Sequence, residues 1–261
     1  MKLTGPIQEL ILSLRRTRKL GARRIQSELR RLHATMLSLA TIHKVLVRNQ
    51  VKPLVSIRSK QPVHRYSRPT PGDRVQMDTK KLAPGKYQYT AVDDCTRYRV
   101  LAIYDRRTAA NTLIFLDKVI EEFPFPIERI QTDRGREFFS HKVQKKLMEC
   151  AIKFRPIKPR SPHLNGKVER SQKTDVQEFY STVDLNDPHL LDKLQEWQHY
   201  YNWDRPHGSL NGKTPMEVFF ERSDKAPLWE DIEARYDPSA ERFQEANYSR
   251  DLQLRKLKRC P

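Results

Sequence analysis

Cysteine, glycine and long apolar runs are all scarce in this sequence. Its 261 residues include eight glycines and three cysteines, Cys95, Cys150 and Cys260. The cysteines form no CxxC pair and are odd in number, which argues against a disulfide framework or a zinc ribbon and suits a reducing cytoplasm. No stretch approaches 18 consecutive apolar residues, so we expect no membrane span. The first residues indicate a basic amphipathic helix rather than a signal peptide.

Acidic residues are scarce in the first quarter of the chain. Lys and Arg number 50 against 32 Asp and Glu, a net charge of +18. Residues 1–70 hold sixteen of the basic residues and two acids, Glu9 and Glu28, so +14 of the excess lies there. Such asymmetry is typical of a nucleic-acid contact surface. A solvated basic face is the alternative interpretation.

Residues 1–50 show three short apolar stripes at helical spacing. Ser38 suits the N-cap of the third helix. The stripes are Ile7, Leu10, Ile11 and Leu14; Ile25, Leu29 and Leu32; and Ile42, Val45 and Leu46. The other side of the third helix carries Thr41, His43, Lys44 and Arg48. This pattern predicts a helix-turn-helix domain whose third helix contacts DNA, although any small three-helix bundle shows the same stripes.

Residues 51–72 and 222–261 differ in composition from the rest. The first segment is basic and holds four prolines, which disfavour helix interiors and central strands. We interpret it as a linker that either follows a DNA backbone or is a plain tether. The second is charged and weakly periodic, which predicts a peripheral extension or a partly disordered tail.

Residues 73–221 change to an alternation of strands and helices. Three predicted strands, 75–82, 87–92 and 99–104, form an antiparallel meander. Thr108 and Ser140 are expected to cap two helices, each followed by a strand, 127–132 and 154–157. Helices at 166–180 and 190–201 follow, and Thr214 with Glu217 predicts a capping box. The order predicts an α/β fold with a mixed five-stranded sheet covered on both faces.

Three acidic residues in this region stand in strand-end or helix patterns. Asp78 and Asp133 each end a strand-like run, and Glu169 lies in a helix-like stretch, with 54 and 35 residues between successive members. Carboxylates gathered from strand ends and a helix are suited to hard divalent cations, which prefer oxygen ligands. Two such ions can promote in-line displacement at a phosphodiester. A polyanionic substrate agrees with the charge of the chain.

Several motifs together carry a family resemblance. They are Gln76–Asp78, Thr132–Phe138, His163–Arg170 and Tyr201–Leu210, the last followed by Thr214 and Pro215. Residues 73–220 resemble the integrase core of DDE transposases and retroviral integrases, and most of all bacterial insertion-sequence transposases. The resemblance implies a ribonuclease-H-like fold and a catalytic, metal-binding triad of Asp78, Asp133 and Glu169.

The same resemblance implies a cofactor, a reaction and partners. The cofactor is Mg²⁺ or Mn²⁺, two ions per site. The reaction is cleavage at DNA 3′ ends followed by strand transfer. The partners are double-stranded DNA, as element ends and as target, and further copies of the chain assembled on DNA. The expected location is the bacterial cytoplasm, at the nucleoid.

Some features depart from the family pattern. Residues 1–94 contain no cysteine, so the zinc module of retroviral integrases is absent, and Val176 stands where related integrases have a second basic residue. A single helix-turn-helix unit, where longer transposases have two, raises the possibility of a missing N-terminal segment. A hydrolysis-only nuclease and an inactive or truncated DNA-binding relic are therefore alternatives.

Other polar residues near the triad have two interpretations. Asn165, Lys167 and Lys173 flank Glu169 and are candidate DNA contacts; Asn165 serves equally well as an N-cap. Asp93 and Asp94 are turn acids that hold backbone amides or, less favoured, extra metal ligands. An aromatic cluster, Trp197, Tyr200, Tyr201 and Trp203, is expected to pack in the core rather than stack on bases.

Overall fold

The computed structural model describes residues 4–54, 67–157 and 162–245. Within them the chain divides into two compact units. One unit contains residues 4–54 with 171–221, and the other contains 68–157, 162–170 and 222–245. Most of the predicted linker and the end of the predicted tail lie outside the described residues. The four domains predicted from sequence, 1–50, 51–72, 73–221 and 222–261, therefore remain a prediction.

Nine α-helices and five strands lie in the described residues. The helices are α1 (Gly5–Arg18), α2 (Ala22–Leu32), α3 (Leu39–Arg48), α4 (Ala109–Glu122), α5 (His141–Glu149), α6 (Gly166–Glu178), α7 (Leu190–Trp203), α8 (Pro215–Phe220) and α9 (Trp229–Arg235). The strands are β1 (Val75–Ala83), β2 (Lys86–Asp93), β3 (Arg99–Tyr104), β4 (Arg129–Thr132) and β5 (Lys153–Phe154).

The five strands form one mixed sheet in the order β3-β2-β1-β4-β5. The first three strands are antiparallel neighbours, as the meander predicted. The two later strands run parallel to β1, with α4 and α5 in the connections. The predicted mixed five-stranded sheet is confirmed. Its centre is β1, which pairs on one side with β2 and on the other with β4.

The two faces of the sheet carry different neighbours. Met77 and Thr132 lie on the face that packs against α4 and α5, where they share a small interior cavity with Leu116 and Leu147. Because side chains alternate along a strand, Gln76 and Gln131 lie on the opposite face. There they contact the start of α6. The sheet is thus covered on both sides at its centre.

The first unit contains the three predicted N-terminal helices. Ile11, Ile25, Leu29 and Ile42 are fully buried in their common core. The expected inward position of Leu32 is wrong, because this last residue of α2 is 51% exposed where the chain turns away. Ser38 caps α3 as predicted, accepting a hydrogen bond from the Thr41 amide.

Ion pairs join these helices to the later segment of the same unit. Glu178, at the end of α6, accepts hydrogen bonds from Arg24 on α2 and from Arg205 after α7. Burial alone would raise the pKa of Glu178, but the two arginines outweigh it and the pKa is lowered. Arg31 of α2 likewise reaches Glu217 at 2.6 Å. Helix α2 is therefore held along its length by carboxylates from α6 and α8.

Aromatic residues of α7 also pack inside the first unit. Trp197 stacks on Phe179 with ring centroids 5.8 Å apart and donates its indole N–H to Asp175. Tyr201 is buried, and Trp203 is 44% exposed and stacks on His199. Packing, rather than base stacking, is the role that Trp197 and Tyr201 have in this structure.

Residues 222–245 belong to the second unit and contact its sheet region. Glu241 pairs with Arg155, and the Gln144 side chain exchanges hydrogen bonds with the backbone of Gln244. Helix α9 begins at Trp229 in a stretch whose sequence predicted only weak periodicity. Among the described residues, no helix combines the length and the apolar character needed to cross a membrane.

Candidate active site

Asp78 and Asp133 lie side by side where the pairing of β1 with β4 ends, a place that we call the sheet edge. Met77 of β1 is the register partner of Thr132 of β4, and each aspartate is the next residue of its chain. Neighbouring strands are about 4.8 Å apart, so the two carboxylates share one edge and one face of the sheet. Both residues are half-buried. The edge is therefore a place where negative charge meets solvent.

Local backbone amides orient both aspartates. Asp78 Oδ1 accepts a hydrogen bond from the Thr79 amide at 2.8 Å. Asp133 Oδ1 accepts one from the Gly135 amide at 2.9 Å, within the turn that follows β4. An ionised carboxylate has about four lone-pair sites and can accept bonds from several partners at once. That capacity is what a cation requires.

The glutamines one pleat earlier bind the start of α6, the helix that carries the third predicted residue. Gln76 Oε1 accepts from the backbone amides of Lys167 and Val168, at 3.2 and 3.3 Å. Its register partner Gln131 donates to the Leu164 carbonyl at 2.8 Å. These bonds attach the first turn of α6 to the strands that carry the aspartates. Glu169 is the next residue of that turn and is exposed.

A buried ion network supports the glutamines. Asp94, fully buried, accepts a hydrogen bond from Gln76 Nε2 at 2.7 Å and pairs with Arg74 and with Lys167 Nζ at 3.1 Å. Burial lowers the pKa of Lys167 to about 8, although Asp94 acts in the opposite direction. The Lys167 ammonium is thus engaged inside the protein. Its DNA contact remains a prediction.

Glu137 is a further carboxylate beside the triad, which the sequence did not single out. It is buried, accepts a hydrogen bond from Thr79 Oγ1 at 2.9 Å, and pairs with Arg107 at 3.3 Å. A Cβ at Gly135 would lie 2.7 Å from this carboxylate, so a larger residue there would require the Glu137 side chain to shift. Glu137 therefore ties the Asp133 turn to the strand of Asp78.

Asp93 has the structural role that was favoured for turn acids. It accepts hydrogen bonds from the amides of Gly72, Cys95 and Thr96. Burial raises the pKa of its carboxyl to about 6, against the opposing effect of these hydrogen bonds. Asp94 is equally buried and committed to the network above. Both aspartates therefore have a structural role, since their carboxylates are buried and hydrogen-bonded.

The remaining candidate contacts differ in exposure. His43, Lys44, Arg48 and Lys173 are exposed, and Thr41 is half-buried. Asn165 is 3% exposed, and within the described part of the chain its side-chain oxygen accepts no hydrogen bond. Asn165 is therefore not an N-cap there, and a DNA contact through it would require the turn to open. The DNA-binding roles of these residues remain predictions.

The donor chemistry of the triad fits a hard divalent cation. Asp78, Asp133 and Glu169 would supply carboxylate oxygens, the ligands that Mg²⁺ and Mn²⁺ prefer. Among the described residues, however, no three His, Cys, Asp or Glu side chains are grouped closely enough to hold a metal. The strands bring the two aspartates together. Glu169 lies on a helix whose start is bound to these strands, but its own side chain is exposed and can change rotamer.

Comparison with known families agrees with this fold and site. Residues 68–162 match a family described as Integrase core domain, and residues 150–215 match a second family with the same description. The first match contains Asp78 and Asp133, and the second contains Glu169. Across residues 68–215 the chain is thus similar to integrase core domains, which supports an integrase-type core.

Individual relatives point the same way. The chain is 29% identical over 194 residues to a protein named Putative integrase ORF3 of Spiroplasma virus SpV1-C74. That match covers 65% of this chain and 52% of the relative, so the chain spans about half of the relative's length.

Solved structures show the likeness at the level of the fold. The catalytic core domain of BIV integrase superposes with a TM-score of 0.50 at 18% identity, covering 59% of this chain and 97% of that one. A simian T-cell lymphotropic virus intasome chain gives a TM-score of 0.52 at 18% identity, covering 80% and 73%.

Proposed function

We propose that this protein is a metal-dependent polynucleotidyl transferase that cleaves DNA 3′ ends and joins them to target DNA. The observation that carries the proposal is the β1–β4 register, which sets Asp78 beside Asp133 at the sheet edge. Further support comes from Gln76, which binds the backbone amides of the two residues before Glu169 from the face that carries Asp78. The matched integrase families support this class of reaction.

In this proposal Asp78, Asp133 and Glu169 hold two Mg²⁺ or Mn²⁺ ions. Such ions activate the attacking oxygen and stabilise the leaving oxygen of an in-line displacement. The protein would position the ions: the strands hold the two aspartates, and the exposed Glu169 would be the third ligand, supplied by its helix. Lys173 lies one helical turn beyond Glu169 on the exposed side of α6, where its ammonium suits a substrate phosphate.

The two chemical steps use the same geometry. In the first, a water oxygen forms a bond to phosphorus, the bond to the bridging 3′ oxygen breaks, and that oxygen takes up a proton. In the second, the freed 3′-hydroxyl loses its proton and attacks a target phosphodiester, whose own 3′ oxygen departs. Each step exchanges one P–O bond for another. Positioning and charge stabilisation therefore account for the catalysis.

The N-terminal helices are proposed to bind the DNA ends. Helix α2 is occupied by ion pairs to Glu178 and Glu217. Helix α3 instead presents His43, Lys44 and Arg48 to solvent, which suits a helix that enters the major groove. We further propose that several copies act together on DNA, as an enzyme that joins two ends to a target requires.

The decisive experiment compares the wild type with Asp78→Asn. A labelled duplex carrying an element end tests cleavage, and a precut duplex with a supercoiled plasmid tests strand transfer, each with Mg²⁺ or Mn²⁺. We expect both activities in the wild type and a loss of about a thousandfold in the variant, roughly 4 kcal/mol of barrier. Asp192→Asn, which alters an exposed carboxylate of α7, is the matched control and should retain activity.

The two alternatives give different results in the same assays. Cleavage without any strand transfer would identify a hydrolysis-only nuclease. Binding of DNA without metal-dependent cleavage or transfer would identify a DNA-binding relic. Equal activity in the wild type and in Asp78→Asn would overturn the assignment of the site.

A further inference from the structure

A positively charged groove opens beside the candidate active site in the second unit. Its volume is about 600 Å³. It is lined by Lys81, Gly85, Tyr87, Asp105, Arg106 and Arg107. None of these residues belongs to the triad or to the N-terminal helices. The groove is therefore a feature that the proposed function does not yet use.

Strand pairing explains why these residues meet. Lys81 of β1 is the register partner of Tyr87 of β2, and Tyr87 is the partner of Tyr104, the last residue of β3. The β1–β2 hairpin, turned at Gly85 with φ of +70°, thus lies beside the connection from β3 to α4. Two separate loops build one surface on the same end of the sheet.

The charge of the groove is positive and accessible. The Arg106 side chain is 80% exposed and that of Arg107 is 52% exposed. Lys81 is exposed as well. Asp105 is the single acid of the lining, and its 3.6 Å pair with Arg106 is solvent-exposed, so it neutralises little. Arg107 is paired with the buried Glu137, so Lys81 and Arg106 supply the positive charge that favours an anion.

The groove is connected to the triad through short stretches of chain. Lys81 follows Asp78 by three residues of β1, which is about 10 Å of strand. On the other side, Arg107 pairs with Glu137, whose carboxylate also holds Thr79 next to Asp78. Because side chains alternate along a strand, Lys81 extends from the face of Met77, opposite to that of Asp78. The cations therefore suit phosphates that lie several nucleotides beyond the reacting one.

We propose that this groove binds the phosphate backbone of the DNA beside the reacting phosphodiester, with Lys81 and Arg106 as the main contacts. The inference rests on the proposed function and adds a contact surface to it. Long cations on exposed loops suit phosphate oxygens rather than base edges, so we expect the contact to be independent of sequence. The duplex in the groove is either the DNA that is cut or the target DNA.

The test measures how DNA binding depends on salt. The wild-type chain and its double variant Lys81→Gln/Arg106→Gln are titrated with a labelled duplex in EDTA, which prevents metal-dependent cleavage, at several salt concentrations. Each lost phosphate contact lowers the slope of log affinity against log salt by about 0.9. Between 50 and 200 mM salt, the wild type should thus lose about tenfold more of its affinity than the double variant.

The double variant Lys142→Gln/Lys145→Gln is the matched control. It removes the same charge from exposed positions of α5, outside the groove. Melting temperatures of all three proteins establish that the variants are folded. A slope in the groove variant equal to that of the wild type, or a slope lowered equally in the control, would overturn the proposal.

Two activity assays show whether the groove binds the DNA that is cut or the target DNA. If the groove holds the DNA that is cut, end cleavage falls in the groove variant. If it holds the target, strand transfer of a precut end into a plasmid falls while cleavage is retained. If neither falls, the groove is not on the DNA path and the proposal is wrong. Should the wild type itself lack both activities, the proposed function fails, while the salt titration still decides whether the groove binds DNA.

Discussion

Two neighbouring pairs of polar residues on β1 and β4 differ sharply in their surroundings. Gln76 and Gln131 are 0% and 6% exposed and are hydrogen-bonded to the start of α6. Asp78 and Asp133, one pleat further on the same face, are half-buried and face the sheet edge. The glutamine pair holds the start of α6, and the aspartate pair presents carboxylates at the sheet edge. Two adjacent pleats thus separate the residues that hold the fold together from the residues that are proposed to bind metal.

The physical reason is the different cost of burying amides and carboxylates. A buried amide is stable when its oxygen and nitrogen are both paired, as those of Gln76 are. A buried carboxylate needs a cation as well, which Asp94 obtains from Arg74 and Lys167. The aspartates at the edge meet solvent, where ionised carboxylates are tolerated and remain available to cations.

The largest effect on activity is expected when one charge is removed from the aspartate pair. Asp133→Asn keeps the shape of the side chain, so we expect the free energy of unfolding to change by less than about 0.5 kcal/mol. Cleavage should fall about a thousandfold, roughly 4 kcal/mol of barrier. Denaturant titration and the cleavage assay measure the two effects. A variant that unfolds readily would show that Asp133 is structural after all.

Removing a glutamine of the first pair should lower stability more than it lowers the rate of cleavage at high Mg²⁺. Gln76→Leu leaves two amides of α6 and one bond of Asp94 without their partner, at a cost of about 3 kcal/mol in unfolding free energy. Because Glu169 is then held less firmly, the Mg²⁺ concentration for half-maximal activity should rise, and excess Mg²⁺ should restore much of the rate. Gln195→Leu, at an exposed position of α7, is the control. Unchanged stability in Gln76→Leu would refute the fastening role.

A pH dependence sharpens the contrast between buried and edge carboxylates. The pKa of Asp93 is raised to about 6 in the folded protein, against about 3.9 in the unfolded chain. The folded state then keeps a proton that the unfolded chain releases. This contribution to stability is complete below about pH 4 and is lost as the pH rises through 6, in total about 3 kcal/mol.

The measurement is the unfolding free energy of the wild type minus that of Asp93→Asn. We expect this difference to fall between pH 4 and 6.5, because the asparagine does not titrate. A difference that stays flat between pH 4 and 6.5 would contradict the burial effect.

The smallest expected effect concerns the N-terminal helices. Lys44→Gln/Arg48→Gln removes two exposed charges from α3 and should weaken binding to an element end by about 1–2 kcal/mol. Cleavage of a short, high-concentration substrate should be nearly unchanged, since the triad is intact. Filter binding and cleavage rates test this pair of outcomes. Equal affinity for the element end would remove α3 from the proposed interface.

Local features of the fold were predictable from the sequence. The hydroxyls of Ser38 and Thr108 cap their helices, and Thr214 with Glu217 forms the capping box. Strand β3 occupies the predicted residues, Arg99–Tyr104. These signals depend on a few adjacent residues. Ser140 stands before α5 as predicted, yet its side chain makes no capping bond, because a suitable residue type does not guarantee the rotamer.

The support around the site was not predictable in the same way. Gln76 lies within a quoted motif, but its partners Lys167 and Val168 are about 90 residues away and are paired only through the fold. Glu137 follows Asp133 by four residues, and its link to Thr79 depends on the packing of the turn against β1. The alternation of β1, which puts Gln76 and Asp78 on one face, was the available signal. The division of the chain inside α6 likewise arises from long-range contacts.

The most direct test of the account is a metal titration of the intact chain without DNA. Binding of Mn²⁺, followed by electron paramagnetic resonance, should be saturable in the wild type and strongly weakened in Asp78→Asn and in Asp133→Asn, with Asp105→Asn behaving as wild type. Equal Mn²⁺ binding in all four proteins would mean that the acids at the sheet edge do not form a metal site.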